Sequence, residues 1–233
     1  MNNPSRNLYI SAGHYGATSG AVVGSLTEAE LNQKFLEAID FGIKVPKGTL
    51  RSKIDWVNAR ATKDDIAIEI HCNYSSYSGK RGIEVYYREA DDEKLAILLD
   101  NAMYKQFGKT LGGFNIDYHR LGCDLHFGSV HHDSESYVQS LGWCRELKCP
   151  AVILEVEYMT NKEGLDILLD PNTPAKVAKA IREVFSPVLE ASVTSCEVEK
   201  KEIAQLKEQL SWFDKAYSAL VAWVMSSLKF PRQ

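Results

Sequence analysis

Asp65-Ile66-Ala67-Ile68-Glu69-Ile70-His71-Cys72-Asn73 alternates along its length, with Ile66, Ile68 and Ile70 on one face of an extended chain and Ala67, Glu69, His71 and Asn73 on the other. It predicts a strand with His71 at its carboxyl end. Upstream, Leu8, Ile10 and Ala12 alternate with Tyr9 and Ser11 until Gly13 breaks the run, so residues 7–12 predict a strand that leads into His14. Downstream, Ala151 to Val156 follows Pro150 and predicts a buried strand, with Ile153, Glu155 and Glu157 on one side. Shorter strands are expected at 43–45 and 82–87.

Helical stretches separate these strands. Thr27 is a plausible N-cap for a helix in which Leu31, Phe35, Ala38 and Ile39 share a face, with Glu28 in the first turn and Gly42 as a stop. Residues 53–62 predict a second helix, with Ile54, Val57 and Ala61 inward, and Leu95, Leu98, Leu99, Ala102 and Met103 give a third amphipathic stripe. Apolar residues from Ala175 to Leu189 mark a further helix. Strands alternating with helices predict an α/β fold, a mostly parallel twisted sheet flanked by helices. Residues 14–27 and the histidine-bearing stretch 112–140, with His119, His126, His131 and His132, are expected to be irregular.

The bulk numbers narrow the function. At 233 residues the chain has room for one sizeable domain and an appendage, and its net charge of −4 gives no global electrostatic case for nucleic acid binding. The five cysteines are odd in number and form no C-x-x-C pair, so neither a disulfide framework nor a structural zinc site is indicated. No apolar stretch of signal-peptide length precedes the first expected strand, and none further on is long and apolar enough for a bilayer, so a cytoplasmically made chain without a transmembrane segment is expected.

Chemistry concentrates where the strands end. In open α/β sheets, sites form in the crevice beyond the carboxyl ends of the strands, where His14, His71 and Glu155 are expected. Two imidazoles and a carboxylate can hold a zinc ion with one position open, and a further carboxylate can then move protons for water. Each residue also has a plainer reading: His14 as a turn residue, and Glu28 as a dipole-favoured first-turn acid in competition with Glu30. His71 and Glu155 are harder to explain that way, because polar groups at the ends of apolar strands need partners.

In order along the chain, Gly13-His14, Gly20-Ala21, Glu28-Ala29-Glu30-Leu31-Asn32, Arg60, Ile70-His71-Cys72-Asn73, Gly82-Ile83-Glu84-Val85-Tyr86-Tyr87, Pro150-Ala151-Val152-Ile153-Leu154-Glu155 and Asn161 resemble the motifs of zinc-dependent N-acetylmuramoyl-L-alanine amidases of the amidase-3 type. The resemblance covers residues 7 to 189. It implies that His14, Glu28 and His71 bind zinc, that Glu155 is the catalytic acid/base, and that peptidoglycan is the substrate, cut between N-acetylmuramic acid and L-alanine. Asn73 and His126 are the candidates for substrate contact. Glu157 departs from the family pattern, which commonly has Gly there; it either raises a neighbour's pKa or pairs with a cation, the latter being favoured. The expected setting is a phage endolysin, held in the host cytoplasm before release to the cell wall. The rival readings are a zinc peptidase acting elsewhere on the stem peptide and a non-catalytic wall-binding protein.

Residues 1–191 would form the catalytic domain. Beyond a linker, Ile203, Leu206, Leu210, Phe213, Tyr217, Leu220 and Val224 follow an a/d spacing, so 196–230 is expected to be a coiled-coil-like helix. Homo-oligomerisation through 203–224 is the favoured role, against docking on the catalytic domain or contact with wall or membrane surface.

Overall fold

Six strands of one sheet carry the molecule, in the order β4-β1-β5-β8-β6-β7. They are β1 (Leu8–Ala12), β4 (Ile43–Lys44), β5 (Ile66–Asn73), β6 (Glu84–Tyr87), β7 (Val130–His132) and β8 (Ala151–Tyr158). The computed structural model describes residues 6–16, 18–107 and 130–185, all within the unit Pro4–Leu189. His119 and His126, the stretch 196–230 and the 203–224 seam lie outside the described residues.

The three long strands found in the sequence form the centre of the sheet. β5 pairs in parallel with β1 on one side and β8 on the other, and β4 extends the parallel set beside β1. Among the described residues of this sheet only the β6–β8 pairing is antiparallel, so β6 and its parallel neighbour β7 run opposite to the rest. The carboxyl ends of β1, β5 and β8 therefore lie together at one end of the sheet, alongside the start of β6.

Both faces of the sheet are covered, which gives three layers. On one face Ile10, Ile68, Ile70 and Leu154 pack with Leu31 and Phe35 of α1 (Glu28–Ala38), Leu99 and Met103 of α3 (Ala90–Phe107), and Ile181 and Phe185 of a helix spanning described residues 173–185, here α6. The other face sets Tyr9, Ala67 and Ile153 against Ile54 and Val57 of α2 (Leu50–Asn58) and Trp143 of α4 (Gly142–Glu146). A fully buried Ile or Leu contributes about 1.5–3 kcal/mol by leaving water, so the alternation of β5 seals two cores at once.

Several boundaries differ from the sequence expectation, each for a local reason. α2 starts at Leu50 because Thr49 accepts the Ser52 N–H as an N-cap, and it ends at Asn58, short of Ala61. In α3, Leu98 is exposed and Ala96 is buried. The stripe through Leu95, Leu99 and Met103 centres near Leu99, and Leu98 lies about 100° round the helix from it. Residues 14–27 are not all loop: β2 (Val22–Val23) and β3 (Leu26–Thr27) form a small hairpin, with Gly24 at φ +64° in its turn. His131 and His132 belong to the edge strand β7, followed by a 3-10 turn at Asp133–Glu135. The remaining helix, α5 (Lys162–Leu169), is capped by Asn161, whose side chain accepts the Gly164 N–H.

The largest departure is in β8. His71 aligns with Glu155 and Asn73 with Tyr158, so two steps along β5 match three along β8. This bulge interrupts the alternation. Tyr158, rather than Glu157, resumes the face of Glu155, and its hydroxyl reaches Glu84 at 2.5 Å.

Candidate active site

The site is built from the ends of β1 and β5 and the start of α1. After β1 the chain is tied back to β5 by the Gly13 N–H, which donates to the Ile70 carbonyl at 2.8 Å. The next residue, His14, takes φ +60°, a left-handed conformation that non-glycine residues seldom adopt. Such strain persists where the surroundings fix the residue, and it swings the imidazole across the strand ends.

Glu28 is the first residue of α1. Thr27 caps the helix by accepting the Glu30 N–H while Glu30 reaches back to the Thr27 N–H, so Glu30 is occupied in a capping box and Glu28 is left to face inward. Its side chain is buried. Oε2 accepts the Ala21 N–H at 2.9 Å and lies 3.2 Å from His14 Nε2, while Oε1 lies 2.8 Å from His71 Nδ1. Asn32, one turn later, donates to both Glu28 Oε1 and the Gly13 carbonyl.

His14, Glu28 and His71 thus offer three ligand atoms within 4.8 Å of one another, with the two imidazoles edge-to-face at 5.0 Å. Two glycines make room for them. A Cβ on Gly13 would fall 2.2–2.5 Å from the His71 ring, and one on Gly20, itself at φ +71°, would strike Glu28 and His14. Two imidazole nitrogens and one carboxylate oxygen are the donor set of a borderline divalent cation such as zinc, and the glycine cradle leaves space beside them.

The electrostatics agree with a site that holds positive charge. Burial acts to raise the Glu28 carboxyl, but hydrogen bonds and charge from His14 and His71 outweigh it and hold the group far below its ordinary range. Burial would lower His71, yet Glu28 and Glu69 hold its pKa well above the usual imidazole value.

Glu155 stands on β8 directly opposite His71 in the register, with Glu84 of β6 opposite it on the other side. Burial is the main cause that pushes its pKa up to about 8; His71 opposes this, and Glu28, Glu84 and Glu69 add to it. Its Oε2 is buried and finds no hydrogen-bond partner among the described residues. A carboxyl group in that state is poised to exchange protons near neutral pH.

The other expected residues are placed as follows. Asn73, at the end of β5, donates to Glu84 at 2.8 Å and accepts the Tyr74 N–H. Glu84 is also reached by the Tyr86 hydroxyl and Lys80, which makes it the hub of a polar network beside Glu155. Glu157 turns away from that network. It accepts the N–H groups of Gly82 and Tyr158 and lies 4.0 Å from Arg81, so it has a cationic neighbour.

One group was not singled out in the sequence. Lys53 of α2 and Glu69 of β5, 4% and 3% exposed, form a buried ion pair directly behind His71. The signal was present: Lys53 lies one turn before the inward Val57, and Glu69 breaks an apolar strand.

A family model described as N-acetylmuramoyl-L-alanine amidase matches residues 8–185. Among solved structures, the catalytic domain of the N-acetylmuramoyl-L-alanine amidase CwlV from Bacillus (Paenibacillus) polymyxa var. colistinus is 22% identical, with 79% of this chain and 98% of that chain covered and a TM-score of 0.60. An N-acetylmuramoyl-L-alanine amidase from Clostridium difficile 630 is 15% identical over 81% and 98% of the two chains, with a TM-score of 0.61. The catalytic domain of the CD27L endolysin, which targets Clostridia difficile, is 21% identical over 77% and 96%, with a TM-score of 0.52. At these identities the shared property is the fold. No curated protein matches the sequence significantly.

Proposed function

Since the chain belongs to the N-acetylmuramoyl-L-alanine amidase family, we propose that it hydrolyses the amide between the lactyl group of N-acetylmuramic acid and L-alanine in peptidoglycan, with a zinc ion held by His14, Glu28 and His71. The observation that carries the proposal is the convergence of those three side chains from separate elements, with Glu155 aligned beside His71. When bound there, the ion would polarise the scissile carbonyl and make water acidic enough to attack near neutral pH.

The chain's own residues do the rest. Amides resist hydrolysis because water is a poor nucleophile and the amine leaves badly. Glu155 addresses both difficulties: its carboxylate takes the proton of the attacking water and the resulting acid passes a proton to the departing nitrogen. Its raised pKa suits the second task, and a cation nearby lowers that pKa enough for the first. Glu84 and its partners fix the strand beside Glu155, while Asn32 holds Glu28 and the Gly13 carbonyl in register.

The test is digestion of purified peptidoglycan with and without a chelator, followed by identification of new termini. New amino-terminal L-alanine, lost on chelation and restored by zinc, is expected. Termini elsewhere in the stem peptide would make the protein a peptidase, and no cleavage at any zinc concentration would leave a wall-binding protein. The phage endolysin setting is the finer part of the same proposal. Expression inside a bacterial host should cause lysis when the membrane is also permeabilised, and intact cells under that condition would sink the endolysin reading alone.

A further inference from the structure

Behind the three ligand candidates, on the α2 side of the sheet, lies a chain of buried polar groups that the reaction itself does not use. Glu69 precedes His71 by two residues on the same face of β5, and its Oε2 lies 3.2 Å from His71 Nε2. Its Oε1 accepts the Ser11 hydroxyl at 2.9 Å and pairs with the Lys53 ammonium. Lys53 also donates to the Ala12 carbonyl at 2.8 Å, two residues before His14. One ammonium group thus ties the strand that carries His71 to the strand that leads to His14.

We propose that Lys53, Glu69 and Ser11 are positioning residues for the metal site: they hold His71 with Nε2–H donated to Glu69 and Nδ1 turned to the cation, and they fix the exit of β1 that delivers His14.

The proposal rests on the metal-dependent reading of the site and goes beyond it by assigning which nitrogen binds and what enforces the choice. A neutral imidazole has one N–H donor and one acceptor nitrogen. Ionised Glu69 is an acceptor only, so the nitrogen facing it carries a hydrogen. Nδ1 faces Glu28, itself a proposed ligand, and gives up its hydrogen when a cation enters between the two, which leaves its lone pair for the metal. That nitrogen is the one 2.8 Å from Glu28. An outer carboxylate that takes the second N–H of a ligating histidine fixes its ring and makes it a better donor to metal.

Stability alone is a poor reason for the pair. Removing two charges from water is costly, and apolar side chains of similar volume often serve a core as well or better. Here Trp143, Ile54 and Ile153 already furnish an apolar layer around α2. The ion pair instead meets each ligand-bearing strand at a defined atom: Glu69 at His71 Nε2, and Lys53 at the Ala12 carbonyl.

The test uses the full chain and two variants, Glu69→Gln and the double variant Lys53→Met with Glu69→Leu. The double variant removes both charges together, so its core keeps an apolar filling and its metal-free form should melt no lower than the parent. Zinc affinity, read by competition with a chelating dye, should fall about 10–100-fold in both variants, and the visible bands of the cobalt-substituted protein should shift. In the zinc-loaded parent, nitrogen-15 NMR should find a hydrogen on His71 Nε2 in slow exchange with water and a metal-bound Nδ1.

A folded double variant with parental affinity and unchanged cobalt bands overturns the proposal. So does ligation through Nε2 in the parent, which leaves the amidase reading intact. A parent that binds no zinc removes the metal-dependent reading and this inference with it, while peptidoglycan digestion reports separately on the reaction.

Discussion

Glu155 shows how one residue's function and instability share a cause. It sits on a central strand with one oxygen buried and without a hydrogen-bond partner among the described residues, and burial together with neighbouring carboxylates pushes its pKa up to about 8 from an ordinary 4.5. A group whose folded pKa lies above its unfolded value favours the fold while protonated and opposes it once ionised. The metal-free protein should therefore lose stability as pH rises from about 4.5 through about 8, by an amount on the order of a few kcal/mol. Glu155→Gln cannot ionise, so its metal-free melting temperature should fall less over that window than the parent's, while amidase activity disappears and zinc binding persists. Thermal melts in chelator across that pH range check the first part. An equally steep decline in the variant would remove Glu155 as its source. The conformation of His14 belongs to the same scale: a left-handed histidine between Gly13 and Tyr15 is held by the site, not by its own preference.

At the scale of elements, two devices aim the side chains. The capping box of α1 decides which of two nearby acids is free, because Glu30 is turned back to Thr27 and Glu28 is directed to the histidines. Thr27→Ala removes the cap, which should lower stability by about 1 kcal/mol. It should also weaken zinc binding, since the first turn then frays at Glu28. Denaturant unfolding and zinc titration measure the two effects, and an unchanged zinc affinity would show that the hydrogen bonds from Ala21, Asn32 and Cys72 fix Glu28 without the cap. The bulge of β8 is the second device. By inserting one residue between Glu155 and Tyr158 it gives Glu84 a tyrosine partner and sends Glu157 to Gly82 and Arg81. Two carboxylates that the alternation would have set side by side are thereby separated.

For the whole molecule, the proposed zinc site joins the β1 exit, α1 and β5, elements far apart in the unfolded chain. An ion that binds only this arrangement stabilises it by mass action, by about 2.7 kcal/mol at free zinc 100 times the dissociation constant. For a domain of this size that corresponds to a rise of roughly 5–10 °C in melting temperature. The rise should be reversed by chelator and much reduced in His14→Ala; a melting temperature indifferent to zinc would argue against the site. Residue order and alternation by themselves determined the α/β class, the three central strands and the Thr27 cap, because backbone periodicity is a local property of a chain, and the order of the family motifs singled out His14, Glu28, His71 and Glu155 as candidates. Tertiary structure decided which acids stay apart, where Glu157 points and why Lys53 and Glu69 are buried. Those depend on strand register, on one extra residue in β8, and on a lysine from α2 meeting a glutamate across the sheet face, a pairing of distant residues that no local pattern encodes.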